Sequence, residues 1–236
     1  MSDPYLYENS HVLRNILDIR NEENLEAYEN TVVNLALLKM FKENYNVSHA
    51  DAIFDIHKHI FSDVYDWAGK SRTINIEKSE LILNGLSVKY EDKSKVMTAI
   101  HEIHLLYFDK PWKTMSKNSF IYEMTRYIAS LWKIHPFREG NTRTLSTYLY
   151  FFLENHNYTL DEKLLNVHAA YIRNALVMAS LDEYSEYQYL EDILSDAIIH
   201  KTNRRPAKNR TVHKYEKIKD IEMKNYKYNY HQHKKE

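Results

Sequence analysis

Along most of the chain apolar residues return every three to four positions, the spacing that gathers them on one face of a helix. Asn21 suits an N-cap, and beyond it Leu25, Tyr28, Val32, Leu35 and Met40 mark a long amphipathic helix over 24–44. Ile53, Ile56, Ile60, Val64 and Trp67 share a face over 50–67, which Ala68-Gly69 closes because glycine takes the left-handed C-terminal conformation readily. Between 71 and 90 the pattern changes. Thr73-Ile74-Asn75-Ile76 and Leu81-Ile82-Leu83 are β-prone, and Asn84-Gly85 and Asp92 offer turn chemistry, so a short hairpin or flap is expected there. Helical spacing resumes over 93–107, breaks at Asp109-Lys110-Pro111, and returns over 116–134, where Phe120, Met124, Tyr127, Ile128 and Leu131 form a stripe that ends before Pro136. Further helices are expected over 144–155, 161–181 and 185–200, with no internal repeat.

Composition sharpens this picture. Three Gly and four Pro are too few for a turn-rich β fold and suit long helices, so the fold class is all-α with one small β excursion. The absence of Cys excludes disulfides, thiolate metal sites and a cysteine nucleophile, and fits a reducing compartment. No stretch reads as a secretory signal or reaches membrane-spanning length, so a soluble, cytoplasmic protein without a membrane partner is expected. Apolar periodicity fades near residue 200, which divides the chain into a body over 1–200 and an extension over 201–236. That extension holds twelve Lys/Arg against four Asp/Glu and is rich in tyrosine; a solvated segment is the simpler reading, with an acidic partner or nucleic acid as the lesser one.

Candidate chemistry concentrates in the ten residues His135-Pro136-Phe137-Arg138-Glu139-Gly140-Asn141-Thr142-Arg143-Thr144, at the break between two apolar helices. A helix that begins after such a turn points unpaired N–H groups and a positive dipole end into it, which makes an anion site. His135, held out of helical geometry by the proline that follows, is the natural general base. Glu139, the segment's only carboxylate, is the natural ligand for Mg²⁺, which binds through one or two carboxylates plus substrate phosphates. Gly140 permits close backbone approach, Asn141 caps the next helix or meets a phosphate oxygen, and Arg143 offers a bidentate fork to the same anion. Phe137 anchors the turn in the core.

This segment resembles the Fic-domain signature His-x-Phe-x-Asp/Glu-Gly-Asn-Gly-Arg-x-x-Arg, matched at His135, Phe137, Glu139, Gly140, Asn141 and Arg143. Asp3-Pro4-Tyr5 and the stretch from Ile60 to Arg72 also look like this family, in particular its bacterial toxin-like branch, and the resemblance runs over about 3–198. It implies a Fic-like helical bundle with a β-hairpin flap that moves AMP from Mg-ATP to a Ser, Thr or Tyr hydroxyl of a target protein. His135 and Arg143 would be catalytic, with His135 as base, and Glu139 would hold Mg²⁺. Arg138, Gly140, Asn141, Thr142 and Arg143 would line the nucleotide, and Ile74, Asn75, Ile76 and Lys78 would belong to a flap that pairs with an extended target strand.

Two positions depart from the signature: Thr142 stands where a second glycine is usual, and Ser146 where a second arginine is usual. In the family that arginine orients the terminal phosphate and pairs with an inhibitory glutamate. The inhibitory pattern Ser/Thr-x-x-x-Glu-Gly/Asn is absent, so either a small antitoxin-like partner supplies the inhibition or Ser146 removes the need for it. Other readings stay open beside AMP transfer: a kinase-like phosphate transferase of the Doc type, a nucleotide binder without turnover, and delivery as a secreted or injected effector. His101-Glu102-Ile103-His104 lacks the metal spacing His-Glu-x-x-His, and His57 with His59, two apart, would diverge on a helix.

Overall fold

The computed structural model describes residues 3–49, 51–161 and 169–201. Among them the regular elements are helices apart from one two-stranded sheet and an isolated bridge between Leu6 and Leu13. Helix α1 (Glu22–Glu43) starts where Asn21 accepts the Asn24 N–H at 2.9 Å, carries Glu22 and Glu23 in its first turn, and stops at Asn44 in the left-handed region. Its buried stripe is Leu25, Glu29, Val33 and Met40, a rotation away from the expected face, and Leu35 is left 63% exposed. An acid lies in that stripe because its partners are inside the fold.

Helix α2 (Ala52–Phe61) ends earlier than the apolar spacing implied. The Val64 carbonyl is taken by the N–H of Ile16 at 2.9 Å, and the chain turns at Gly69, φ +75°, whose Cα lies too close to the Lys58 side chain for any Cβ. Residues 71–90 form an excursion as expected, but without strands. Even-numbered positions from Arg72 to Glu80 point inward and odd ones outward, the alternation of a β-strand, yet no described strand pairs with them. Side chains take the place of a ladder: Arg72 holds the Ile74 carbonyl, Asn75 bonds Asp92 and the Lys93 N–H, and Ser87 Oγ accepts from the Lys78 N–H. A single 3₁₀ turn (Leu81–Leu83) and the bond from the Glu80 N–H to the Leu86 carbonyl close the tip.

Helix α3 (Val96–Tyr107) leads through Pro111 to α4 (Lys117–Ile134), which Ser116 caps. Helix α4 is the centre of the bundle, packed against α3, α5 (Asn141–Asn155), α6 (Ala169–Met178) and α7 (Gln188–Ala197). Phe120, Met124, Tyr127, Ile128 and Leu131 are all buried, as the stripe implied. Tyr127 and Tyr148 join α4 to α5 through their hydroxyls, 2.6 Å apart, so that this polar pair costs the core no unsatisfied group. Strand β1 (Tyr158–Leu160) pairs antiparallel with β2 (Ile198–His200) in the register Tyr158↔His200 to Leu160↔Ile198. Both lie where helix or nothing was expected; the adjacent β-branched pair Ile198-Ile199 favours extended backbone. The expected helix over 161–181 falls partly on 162–168, and the basic extension falls from 202 onward, outside the described residues. No described helix is long and apolar enough to cross a membrane.

Candidate active site

The turn between α4 and α5 collects its side chains by three devices. At the end of α4 His135 takes the left-handed conformation, φ 50°, and its N–H bonds the Trp132 carbonyl. Next, Asn141 folds back on Phe137, its Oδ1 accepting the Phe137 N–H at 2.9 Å and its Nδ2 donating to the Phe137 carbonyl at 2.8 Å. Finally Gly140, φ +81°, caps α5 with its Cα against the ring of Phe61, where a Cβ has no space. Asn141 therefore spends its amide inside the turn. Phe137 is fully buried and stacks on His57, ring centroids 3.8 Å apart.

His135 is 1% exposed, packed beneath the Tyr90 ring at 4.1 Å and edge-on to Trp132 at 5.0 Å. Its Nδ1 lies 3.1 Å from the Trp132 carbonyl oxygen, which only accepts, so Nδ1 carries the proton and Nε2 keeps its lone pair. Burial first, and the nearby Lys78 charge second, push its pKa down to about 3. Burial by itself would raise the Glu139 pKa; the Lys78 ammonium, the Gly140 N–H and Arg143 outweigh it and lower the carboxyl to about 2. One Glu139 oxygen accepts from the Gly140 N–H at 2.9 Å, and the other meets Lys78 Nζ at 2.9 Å. His135 is thus neutral and Glu139 charged at neutral pH.

Among the described residues, Arg143 and Arg138 have partners too. Arg143 reaches Glu29 at 2.5 Å, its guanidinium over the Phe61 ring, and the second Glu29 oxygen accepts from Tyr65. Arg138 bonds Asp3 at 2.9 Å. Thr142 Oγ1 accepts from the Trp132 indole at 3.2 Å, and Ser146 is exposed on α5. Of the flap residues, Lys78 meets Glu139, while Ile74 and Ile76 pack partly buried along the extended stretch and Asn75 is exposed. That stretch begins bonded to the turn, the Arg72 N–H donating to the Pro136 carbonyl at 2.8 Å. Among the described residues no group of three His, Cys, Asp or Glu could cage a metal alone.

The Fic/DOC family model matches residues 47–153, which spans α2, the excursion and the whole turn. A Sinorhizobium fredii protein named probable protein adenylyltransferase y4lH is 30% identical over 166 residues, covering 70% of this chain and 82% of its own. The chain belongs to the Fic/DOC family. Protein adenylyltransferase VbhT of Bartonella schoenbuchensis is 26% identical over 185 residues, 78% of this chain but only 36% of VbhT. The fold matches the N-terminal Fic domain of a VirB-translocated Bep effector protein from Bartonella quintana, solved with bound ADP, at a TM-score of 0.70 and 18% identity, covering 84% of this chain and 95% of that one.

Several residues that shape this Fic site escape motif reading. Arg72 is 2% exposed and grips the carbonyls of His135 at 2.8 Å, Ile74 at 2.7 Å, and Glu91. His57 accepts the Gly69 N–H on Nδ1 at 2.8 Å, so its Nε2–H donates to the Glu139 carbonyl at 3.1 Å; burial pushes its pKa to about 4. Glu80, 4% exposed, accepts from Arg173 Nε and Nη2 and from the Tyr90 hydroxyl, and so links α6 to the ring over His135. The available signal is an ionisable residue inside an apolar stripe: Glu29 four after Leu25, and His57 four after Ile53.

Proposed function

We propose that this chain is a protein adenylyltransferase, which transfers AMP from Mg-ATP to a Ser, Thr or Tyr hydroxyl of a target protein. The observation that carries the reading is the His135 tautomer: Nδ1–H is fixed on the Trp132 carbonyl, which leaves Nε2 its lone pair as an acceptor, on the residue that opens the turn into α5. The names of the relatives and the ADP held by the Bartonella quintana domain support it. His135 Nε2 takes the proton as the hydroxyl oxygen bonds the α-phosphorus, the bond to the β-phosphate oxygen breaks, and pyrophosphate leaves. Negative phosphates beside the ring raise the basicity that burial and Lys78 suppress. The first-turn N–H groups of α5 and the free face of Arg143 bind the phosphate oxygens.

The donor set fits Mg²⁺. Glu139 offers one ionised carboxylate that already carries a cation, Lys78, and the other ligands would come from phosphates and water. Bound there, the metal would neutralise charge on the leaving phosphates. The extended stretch 74–78, with strand alternation and no described strand beside it, is suited to add a target segment edge-on. Incubation of the purified chain with cell lysate, Mg²⁺ and α- or γ-labelled ATP tests the reading: label passes from α-labelled ATP only and is lost in His135→Ala. Transfer from γ-labelled ATP instead would establish kinase-like chemistry.

A further inference from the structure

Among the described residues Arg72, Arg138, Arg143, Arg173 and Lys78 lie about the turn and the elements packed on it, and their partners differ in kind. Arg72 grips main-chain carbonyls; Arg138, Arg143 and Arg173 are held by Asp3, Glu29 and Glu80, carboxylates on neighbouring elements. None of those acceptors has cause to leave when nucleotide enters. Lys78 is paired instead with Glu139, the carboxylate assigned to the divalent ion. Its ammonium is 2.9 Å from that oxygen, on a side chain 20% exposed, and it is the leading charge acting on both His135 and Glu139. It therefore lies against the metal-ligand carboxylate with its charge felt at the base, in the region a phosphate must enter to react. Position 146, exposed and carrying serine, supplies no cation for the phosphates.

We infer that Lys78 is a phosphate-binding residue of the nucleotide site, parked on Glu139 until a divalent cation takes that carboxylate. Two cations cannot share one carboxylate oxygen without repulsion, so arrival of the doubly charged ion expels the ammonium. The nearest anion is then the phosphate chain delivered with the metal, and a Lys–phosphate contact replaces the Lys–carboxylate one. Because Lys78 belongs to the excursion, the same exchange removes its direct tie to the turn when nucleotide is loaded, while Arg72 keeps Ile74 anchored. This goes beyond a target-registering role for Lys78, and it rests on the proposed Mg-nucleotide reading.

Calorimetric titration of ADP into the full chain tests it in a background that removes the parking place. In Glu139→Gln the ammonium has no carboxylate to hold, so in metal-free buffer with EDTA this variant binds ADP about tenfold more tightly than Glu139→Gln/Lys78→Met. Lys78→Arg in the same background retains most of the affinity, and thermal melts show that all three are folded. Equal ADP affinity for the glutamine variant with and without Lys78 overturns the inference while leaving adenylyl transfer standing. Failure of the wild-type chain to bind ADP with Mg²⁺ overturns the nucleotide reading itself, and this inference with it.

Discussion

Replacing Arg72 by methionine should do more damage than any other single change near the turn that leaves the signature intact. The guanidinium makes bonds of 2.8 Å and 2.7 Å to the His135 and Ile74 carbonyls, a further close bond to the Glu91 carbonyl, and longer ones of 3.4 Å to the Ile134 carbonyl and Asn75. Methionine fills similar volume and is spared the desolvation of a charge, which favours the variant. Against that, three carbonyls lose a charged donor while the backbone holds them in place, at about 1–3 kcal/mol each. The orphaned acceptors win, and the net loss is about 3–6 kcal/mol. For a domain of this size each kcal/mol moves the melting temperature by about 2–4 °C, so a drop of roughly 6–24 °C is expected in calorimetry. Arg72→Lys should resemble methionine more than wild type, since one ammonium cannot span acceptors on three segments. A methionine variant that melts within about 3 °C of wild type would refute the view that Arg72 ties α4 to the excursion.

Gly140→Ala places a methyl group in the Phe61 ring at a φ of +81°, so strain and overpacking together should cost about 2–5 kcal/mol, read from urea midpoints; an unchanged midpoint would show that the ring moves aside freely. Asn141→Ala removes both bonds to Phe137 and should weaken ADP binding with Mg²⁺ at least about tenfold, because the anion turn loses its internal brace; intact affinity would mean that the helix start holds itself. Acid should destabilise the fold. His135 and His57 have folded pKa values of about 3 and about 4 against an ordinary 6.5, so below pH 6.5 the unfolded chain binds protons that the folded chain refuses. Stability is full above pH 6.5 and falls as pH drops towards 4, by up to about 1.4 kcal/mol per pH unit for each histidine. Glu139, lowered from 4.5 to about 2, adds loss of the same sign below 4.5, and urea midpoints that stay flat between pH 7 and 5 would contradict these burials.

The long helices were legible because their signals are local. Asn21 caps as expected, and the α4 stripe is buried as its spacing implied. The ten-residue turn stood out as well, because His135, Glu139, Gly140 and Arg143 are close neighbours in sequence at a break between two apolar helices. What stayed hidden depends on partners distant in sequence. The strand alternation of 72–80 is present, but whether a second strand completes it depends on Ser87, Asn75 and Asp92 forming side-chain bonds instead. The α1 face was misjudged because Glu29 counts as a surface residue until Tyr65 and Arg143 are set beside it. Strands of three residues, such as β1 and β2, are too short to show a period at all.

The pair between Arg138 and Asp3 joins residues 135 positions apart, and His57 reaches Glu139 across 82, Arg72 reaches His135 across 63, and Lys78 reaches Glu139 across 61. Closing such loops costs entropy that only a nearly complete core repays, so this corner of the molecule should be among the last to form. On the ribosome, residues 3 to 134 can emerge and collapse as helices without containing a working centre. Catalytic competence would then arrive in one late step, when α5 docks and its first turn meets contacts prepared far upstream. A refolding experiment that follows ADP capture beside far-ultraviolet circular dichroism would see the helices return first and the ligand site afterwards.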